Sequence, residues 1–368
     1  MNILLLTTRL NLGGIGIYVT SLAKVLKDRG EKVIVASSGG SLVARLEKDG
    51  IRHIELGLNT SADIGPHTLI NCFKLSRIID NENIDIVHAH TRVTQVIASI
   101  LYSSKKAHFV STCHGFFKRR LSRRLFKCWG ERVIAISDAV RHHVVKDMRV
   151  PKERVKLVYN GIDLKRFAKN YSDDDKVIIK KEYGLKEVKT IGIISRLSDI
   201  KGIEYLLGAF ARLLLKFSDL QLLLVGDGKP RYVKNLKRLA KALNISDKVI
   251  FHKAVEDTSI PLSVIDVFCL PSIKEGLGLS IIEAMVMGIP VVASDVGGIY
   301  TLIDHGKNGL LVQPKDEDAL AEAISKILLD DSMAKDMGRL SKSIVHSKFT
   351  LDLMCDKILE VYKEVVTK

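Results

Sequence analysis

Two carboxylates, Glu275 and Glu283, stand eight residues apart around a predicted turn from a strand to a helix. The apolar run 264–270 predicts a buried parallel strand, and residues 279–287 have the apolar character of a packed helix. The first backbone amides of such a helix have no partner within the helix and suit a phosphate. The spacing alone leaves two alternatives open. The carboxylates contact different parts of one ligand, or Glu275 caps the helix and Glu283 is a solvated helix residue.

Two cations, Arg196 and Lys201, lie in a second turn of this kind, after a predicted strand and before a predicted helix. Cations beside free helix amides at the carboxyl edge of a parallel sheet are the groups that a diphosphate requires. Other predicted strands also end in glycines, as at Gly226, so the sequence predicts that these strand ends meet at one crevice.

Strands and helices alternate through both halves of the chain, which predicts α/β domains with doubly wound parallel sheets. A length of 368 residues exceeds what one hydrophobic core usually holds and predicts two domains. We expect an N-terminal domain over residues 1–165, a linker over 166–178, a C-terminal domain over 179–345 and a final helical segment over 346–368. The final helix is amphipathic and is predicted to pack on the first domain, and a cleft between the domains is the expected ligand site.

The composition favours a reduced, intracellular protein without a metal. The five cysteines are scattered and lack C-x-x-C spacing, which gives no sign of a disulfide framework or a zinc site. Residues 173–175, three consecutive aspartates, resemble a metal-binding cluster, but in the predicted linker they are interpreted as a solvated loop. No apolar run approaches the roughly 18 residues that span a bilayer, and no cleavable leader is recognisable, so the prediction is a cytoplasmic protein.

A net charge of +15 predicts an anionic partner, and its densest part is the segment 116–129. The apolar positions Leu121, Leu125 and Cys128 form a helical stripe with basic flanks, which suits an anionic membrane surface. The alternative is an ordinary surface helix whose stripe faces the core. Nucleic acid is not predicted, because no recognition signature is present. The cations assigned to a membrane or acceptor surface are Lys118, Arg119, Arg120, Arg123 and Arg124.

The second half carries a longer pattern around the two glutamates. It reads Glu275, seven residues, Glu283, then Ala-Met, a Gly-Ile-Pro-Val-Val-Ala-Ser strand at 288–294, and Gly297-Gly298. In this pattern the chain resembles the retaining glycosyltransferases of the GT-B fold, specifically glycosyltransferase family 4, and the resemblance covers nearly the whole chain. It implies two Rossmann-like domains that face a central cleft, with the acceptor bound by the first and a nucleotide-sugar donor by the second.

The resemblance also implies roles for the charged residues. Arg196 and Lys201 stabilise the departing diphosphate, so that no divalent metal and no cofactor is required, whereas Glu275 holds a sugar hydroxyl and Glu283 the ribose hydroxyls. The donor set is completed by Gly226, Lys253, Ala254, Val255, Gly276, Gly278, Leu279 and Ser280.

In the first half, the resemblance places His114 beside the transferred sugar and lets Gly13 and Gly14 approach the diphosphate. Without that resemblance, a histidine at a strand end is more often structural. Ser195 and Lys253 depart from the glycines common in the family, which leaves UDP and GDP donors open, with UDP favoured.

The expected activity is sugar transfer from a UDP- or GDP-sugar to a hydroxyl of a glycan or lipid-linked acceptor, with retention of anomeric configuration. Lipopolysaccharide, capsule or other cell-envelope polysaccharide synthesis at the inner face of the membrane is the expected setting. A sugar-nucleotide epimerase and a non-catalytic partner subunit of the same fold are the alternatives. A dehydrogenase is disfavoured, because residues 6–16 lack a G-x-G-x-x-G fingerprint.

Overall fold

The chain forms two compact units in a computed structural model. Unit 1 consists of Met1–Gly161 together with Leu351–Lys368, and unit 2 of Ile162–Thr350. The structure describes residues 1–58, 66–104, 107–117 and 127–367.

Unit 1 is built on a parallel sheet whose central strands are short, apolar and buried on both faces. Its strands are β1 (Asn2–Leu6), β2 (Lys32–Ser37), β3 (Arg52–Glu55), β4 (Ile86–Ala89), β5 (His108–Cys113), β6 (Arg132–Ala135) and β7 (Val155–Leu157). Their order is β3-β2-β1-β4-β5-β6-β7, and all pairs are parallel. The direction of winding therefore reverses between β1 and β4, which is where ligands bind in open α/β sheets.

Helices cover both faces of this sheet. They are α1 (Gly14–Asp28), α2 (Val43–Lys48), α3 (Pro66–Asn81), α4 (Arg92–Ser103) and α5 (Asp138–His142), with a π-helical turn at His143–Asp147 and a 3-10 turn at Lys152–Arg154. The helices α1 and α2 share one apolar cluster with the sheet, whereas α3 and α4 share another.

Unit 2 repeats the plan with six parallel strands. These are β8 (Lys189–Ile194), β9 (Leu220–Val225), β10 (Val249–His252), β11 (Val267–Leu270), β12 (Val291–Ser294) and β13 (Leu310–Val312). The order β10-β9-β8-β11-β12-β13 places the reversal between β8 and β11. The helices are α6 (Asp173–Glu182), α7 (Ile203–Leu213), α8 (Pro230–Ala242), α9 (Ser259–Leu262), α10 (Leu279–Val286), α11 (Glu317–Leu329) and α12 (Asp331–Lys348), with 3-10 turns at Leu164–Phe167, Asp199–Lys201, Ser246–Lys248 and Ile299–Thr301.

The last helix, α13 (Leu351–Val366), belongs to unit 1 although it follows unit 2 in the chain. Its apolar face, which includes Met354, Ile358 and Tyr362, is buried in the same cluster as α1. The expected fold class, two Rossmann-like parallel-sheet units with a C-terminal helix on the first, is confirmed.

The structure differs from the sequence predictions in the segments around unit 2. The aspartates 173–175 form the first turn of α6 and not a solvated loop, because Ser172 and Asp175 build a reciprocal capping box and carboxylates are favourable at a helix N-terminus. The predicted strand over 264–270 begins only at Val267, since Val264 and Ile265 close the turn after α9. The helix α12 was not predicted.

Candidate functional site

At the switch point of unit 2, which is the reversal of strand order between β8 and β11, two of the predicted charged residues come together. Lys201 follows β8, Glu275 follows β11, and the Lys201 ammonium donates a hydrogen bond to the Glu275 carboxylate in an ion pair. Both side chains are largely buried, at 16% and 15% exposure. A backbone hydrogen bond of 2.9 Å from the Ile273 amide to the Ile200 carbonyl fixes one loop against the other. The sequence pointed to both residues but not to their pairing.

Two glycines allow loops at this edge of the sheet to approach their neighbours closely. Gly202 has φ 63°, and a Cβ there would lie 2.1 Å from the Pro271 carbonyl oxygen. At Gly226 a Cβ would lie 1.8 Å from the Ser195 carbonyl oxygen. The space where a side chain of residue 226 would lie is thus occupied by the loop after β8. Backbone packing therefore requires a glycine at this position, whether or not a ligand contacts it.

The start of α10 is open to a ligand. Gly278, at φ 100°, precedes the helix without a side-chain cap, so Glu275 does not cap it as the simpler alternative required. Among the described contacts, neither the Leu279 amide nor the Ser280 amide donates a hydrogen bond within the chain. Gly276 lies in the loop between Glu275 and these amides. The loop and helix start therefore present N–H groups beside the Lys201–Glu275 pair.

Glu283 lies one turn further along α10 and is 6% exposed, which excludes a solvated helix residue. Burial raises the pKa of its carboxyl group, while the Arg166 charge and a hydrogen bond with Thr258 act in the opposite direction. Arg166 is itself tied to this region by Nη2, 3.5 Å from Thr258 Oγ1, and by Nε, 3.6 Å from Asp257 Oδ1. Sequence reasoning missed Arg166 and Thr258, because no motif marks them.

The predicted donor residues Lys253, Ala254 and Val255 follow β10. Lys253 is exposed, and the Ala254 amide donates to Asp227 Oδ1 at 3.3 Å, with Val255 next in the loop. The His252 ring stacks on Tyr183 at a centroid distance of 4.2 Å. These contacts hold the strand end and the start of the loop in place.

Arg196 is exposed, in contrast to Lys201. Within the described part of the chain, its side chain has no hydrogen-bond or ion-pair partner. The guanidinium is therefore available to an anionic ligand.

Unit 1 places His114 in a cluster of buried rings. Its Nε2 lies 3.2 Å from His90 Nδ1, and its ring meets Tyr18 edge-on at a centroid distance of 4.7 Å. His88 is fully partnered, with Tyr362 Oη at 2.6 Å from Nδ1 and Thr112 Oγ1 at 2.7 Å from Nε2. Over the described residues, His114 Nδ1 has no partner, so it is the ring nitrogen that remains for a ligand.

Burial sets the protonation state of this histidine cluster. It lowers the pKa of His88 and of His114 to about 3, and it lowers that of His90 well below the ordinary value. The three imidazoles are therefore neutral near pH 7, and His114 can exchange a hydrogen bond with a ligand but supplies no positive charge.

The cluster predicts an acid-sensitive unit 1. The unfolded chain protonates His88 and His114 near pH 6.5, whereas the folded chain does so only near pH 3, so the free energy of unfolding falls as the pH drops from about 6.5 towards 3. Urea titrations followed by the fluorescence of Trp129, the one tryptophan of the sequence, measure this slope. The variant His90→Asn is expected to flatten it, whereas His142→Asn at an exposed position leaves it unchanged. An identical slope in both variants would contradict the assignment.

Gly13 and Gly14 lie at the start of α1, after β1, and both are exposed. Gly13 has φ 153°, a region that favours glycine, and a Cβ added there would meet nothing within 4 Å. In contrast to Gly226, this backbone faces open space that a ligand can enter.

The basic positions Lys118, Arg119, Arg120, Arg123 and Arg124 lie outside the described residues. Over the part that the structure describes, no group of three His, Cys, Asp or Glu side chains is arranged to hold a metal ion, and no helix is long and apolar enough to cross a membrane.

The two parallel-sheet α/β units have the architecture of the GT-B class of glycosyltransferases. Residues 12–166 match the family model described as Glycosyltransferase Family 4, and residues 175–343 match Glycosyl transferases group 1. The chain is 30% identical to N-acetyl-alpha-D-glucosaminyl L-malate synthase of Bacillus anthracis, over 97% of this chain and 95% of that protein. It therefore belongs to glycosyltransferase family 4.

Solved structures agree with this assignment. A glycosyltransferase from Rickettsia africae superposes with a TM-score of 0.86 at 26% identity, over 99% of this chain and 98% of that one. The fold is also that of Anabaena HepE, solved in complex with UDP-glucose, with a TM-score of 0.88 at 24% identity over 99% and 100% of the two chains.

Proposed function

We propose that the protein transfers a sugar from a nucleoside diphosphate sugar to a hydroxyl of a glycan or lipid-linked acceptor, with retention of anomeric configuration and without a metal. Unit 2 binds the donor and unit 1 the acceptor. The observation that carries the proposal is the largely buried Lys201–Glu275 pair at the switch point, beside the free amides of Leu279 and Ser280.

The chemistry follows from these charges. When the bond to the anomeric carbon breaks, negative charge develops on the diphosphate, and Lys201, Arg196 and the helix amides stabilise it. Such fixed charges take the place of a divalent ion. The acceptor proton passes to an oxygen of the donor phosphate, so no carboxylate has to act as the base.

The carboxylates position the donor. Glu275 accepts hydrogen bonds from the transferred sugar, and it remains oriented by Lys201. Glu283 accepts from the ribose hydroxyls, since a buried carboxylate offers strong acceptors that solvent does not compete for. Neutral His114 offers Nδ1 to a sugar hydroxyl, and Gly13 and Gly14 admit the diphosphate and sugar.

We favour UDP as the nucleotide of the donor. The fold that this chain shares with HepE, which was solved in complex with UDP-glucose, supports this choice. For the acceptor we propose a lipid-linked glycan of the cell envelope, met at the inner face of the membrane, where the charges of Lys118, Arg119, Arg120, Arg123 and Arg124 attract anionic lipid. A small hydroxy acid is the second acceptor class, because the name of the Bacillus anthracis relative contains L-malate.

A panel of UDP- and GDP-sugars, offered with lipid-linked, glycan and L-malate acceptors, tests the activity through release of nucleoside diphosphate. We expect turnover with a UDP-sugar, an unchanged rate in chelator, and a product whose anomeric proton coupling matches that of the donor. Loss of activity in chelator with recovery in magnesium would contradict the metal-free mechanism. A new nucleotide sugar without transfer would indicate an epimerase, and no turnover with any pair would indicate a partner subunit.

A further inference from the structure

The helix α3 presents three large apolar side chains to solvent. Leu69 is 65% exposed, Ile70 53% and Phe73 61%. Soluble proteins bury most side chains of this size, and an exposed group of them indicates a surface that another apolar phase covers. We propose that this face, called the α3 face, inserts into the headgroup region of an anionic membrane.

The α3 face is a second side of the helix and not an incompletely buried core. Cys72, Leu75 and Ile79 recur at three- and four-residue spacing and are buried in the cluster of unit 1. Leu69 and Phe73 repeat at their own four-residue spacing on the opposite side. The helix is therefore apolar on two sides, of which the fold uses one.

Cations accompany the exposed apolar groups. Lys74 and Arg77 are both exposed on the same side, and the Arg77 guanidinium lies 4.4 Å from the centroid of the Phe73 ring. The helix carries no acidic residue before Asp80. Apolar side chains rimmed by cations match the interface of an anionic bilayer, where the rings enter the acyl boundary and the charges remain among the phosphates.

The distribution of charge favours lipid over a protein partner. Unit 1 contains 29 Lys and Arg against 17 Asp and Glu, an excess of 12, whereas unit 2 contains 28 against 25, an excess of 3. The unit that carries the α3 face therefore carries most of the net positive charge of the protein, and long-range attraction brings that unit towards an anionic surface.

The location of the face fits an enzyme that takes its acceptor from a membrane. The strand β3 leads into α3, so Leu69 and Phe73, in the first turns of α3, lie towards the carboxyl edge of the sheet in unit 1. Gly13 and His114 follow strands at that edge. This part of the inference rests on the proposed function, whereas membrane docking itself does not.

Sedimentation with vesicles of phosphatidylcholine and phosphatidylglycerol, against pure phosphatidylcholine, tests the α3 face. We expect Leu69→Gln/Phe73→Gln to weaken binding to the anionic vesicles by about 30-fold, because two exposed apolar side chains lose their burial in the bilayer. The matched control is Leu215→Gln/Leu329→Gln in unit 2, where the leucines are 88% and 71% exposed and should be replaceable without loss. Thermal unfolding and nucleotide release with a soluble acceptor should be unchanged in both variants.

A reporter variant, Phe73→Trp, should show a blue shift of its fluorescence, relative to the unchanged protein, when anionic vesicles are added. The inference is overturned if the α3 variant binds as tightly as its control, or if the reporter does not shift. It is also overturned if the unchanged chain dimerises without lipid and the α3 variant does not, since the face would then cover a second copy. If vesicle binding is lost on charge reversal at Arg119, Arg120, Arg123 and Arg124 but not in the α3 variant, the proposed function stands and the inference about the α3 face is overturned.

Discussion

Replacing Lys201 by methionine lowers the rate of sugar transfer by about 100-fold to 1,000-fold, the usual loss when one fixed stabiliser of a developing anion is removed. Methionine keeps much of the length of the side chain but removes the charge that faces the departing diphosphate. It also leaves the Glu275 carboxylate, at 15% exposure, without its ion-pair partner. The measurement is kcat with a saturating UDP-sugar, together with the melting temperature.

A charge-swapped variant separates catalysis from structure in this pair. Lys201→Glu/Glu275→Lys retains opposite charges at the two positions, so we expect it to recover the melting temperature lost in Lys201→Met. Activity should stay low, because the carboxylate then faces the phosphate and the ammonium faces the sugar. Recovery of both stability and transfer would show that the pair is only a structural link between two loops.

The arrangement of the sheets was accessible from the sequence, since apolar strands alternating with helices leave few ways to cover a parallel sheet. That logic also placed Lys201 and Glu275 after predicted strands whose ends were expected to meet at one crevice. It did not reveal their ion pair, because a contact between two loops depends on how closely the backbones approach. The close approach of these two loops depends on Gly202, because a side chain there would collide with the Pro271 carbonyl oxygen.

Other parts of the site depend on contacts that no local pattern encodes. Glu283 interacts with Arg166 and Thr258, which lie far from it in the sequence, and neither of these two partners belongs to a recognisable motif. His88 hydrogen bonds to Tyr362, 274 positions away, so its structural role emerges only once α13 lies on unit 1. For the aspartates 173–175, a local pattern was misleading. The polar run suggested a loop, but these residues begin a helix that Ser172 caps.

Exchanging Glu283 for glutamine is expected to weaken UDP binding by about 10-fold to 100-fold, because hydrogen bonds to a charged acceptor are stronger than those to a neutral one. Glutamine fills the same buried space, so the change tests the carboxylate and not the packing. Isothermal titration with UDP measures the effect. The exposed Glu322→Gln, on α11, is the matched control and should bind UDP normally.

The ribose assignment is tested by a second ligand, UDP that lacks both ribose hydroxyls. If Glu283 accepts hydrogen bonds from those hydroxyls, the unchanged protein and Glu283→Gln should bind this ligand with the same, weak affinity, since the carboxylate has nothing left to hold. A loss that is equally large for both ligands would mean that Glu283 acts through Arg166 and Thr258 on the shape of the site, and the ribose contact would have to be abandoned.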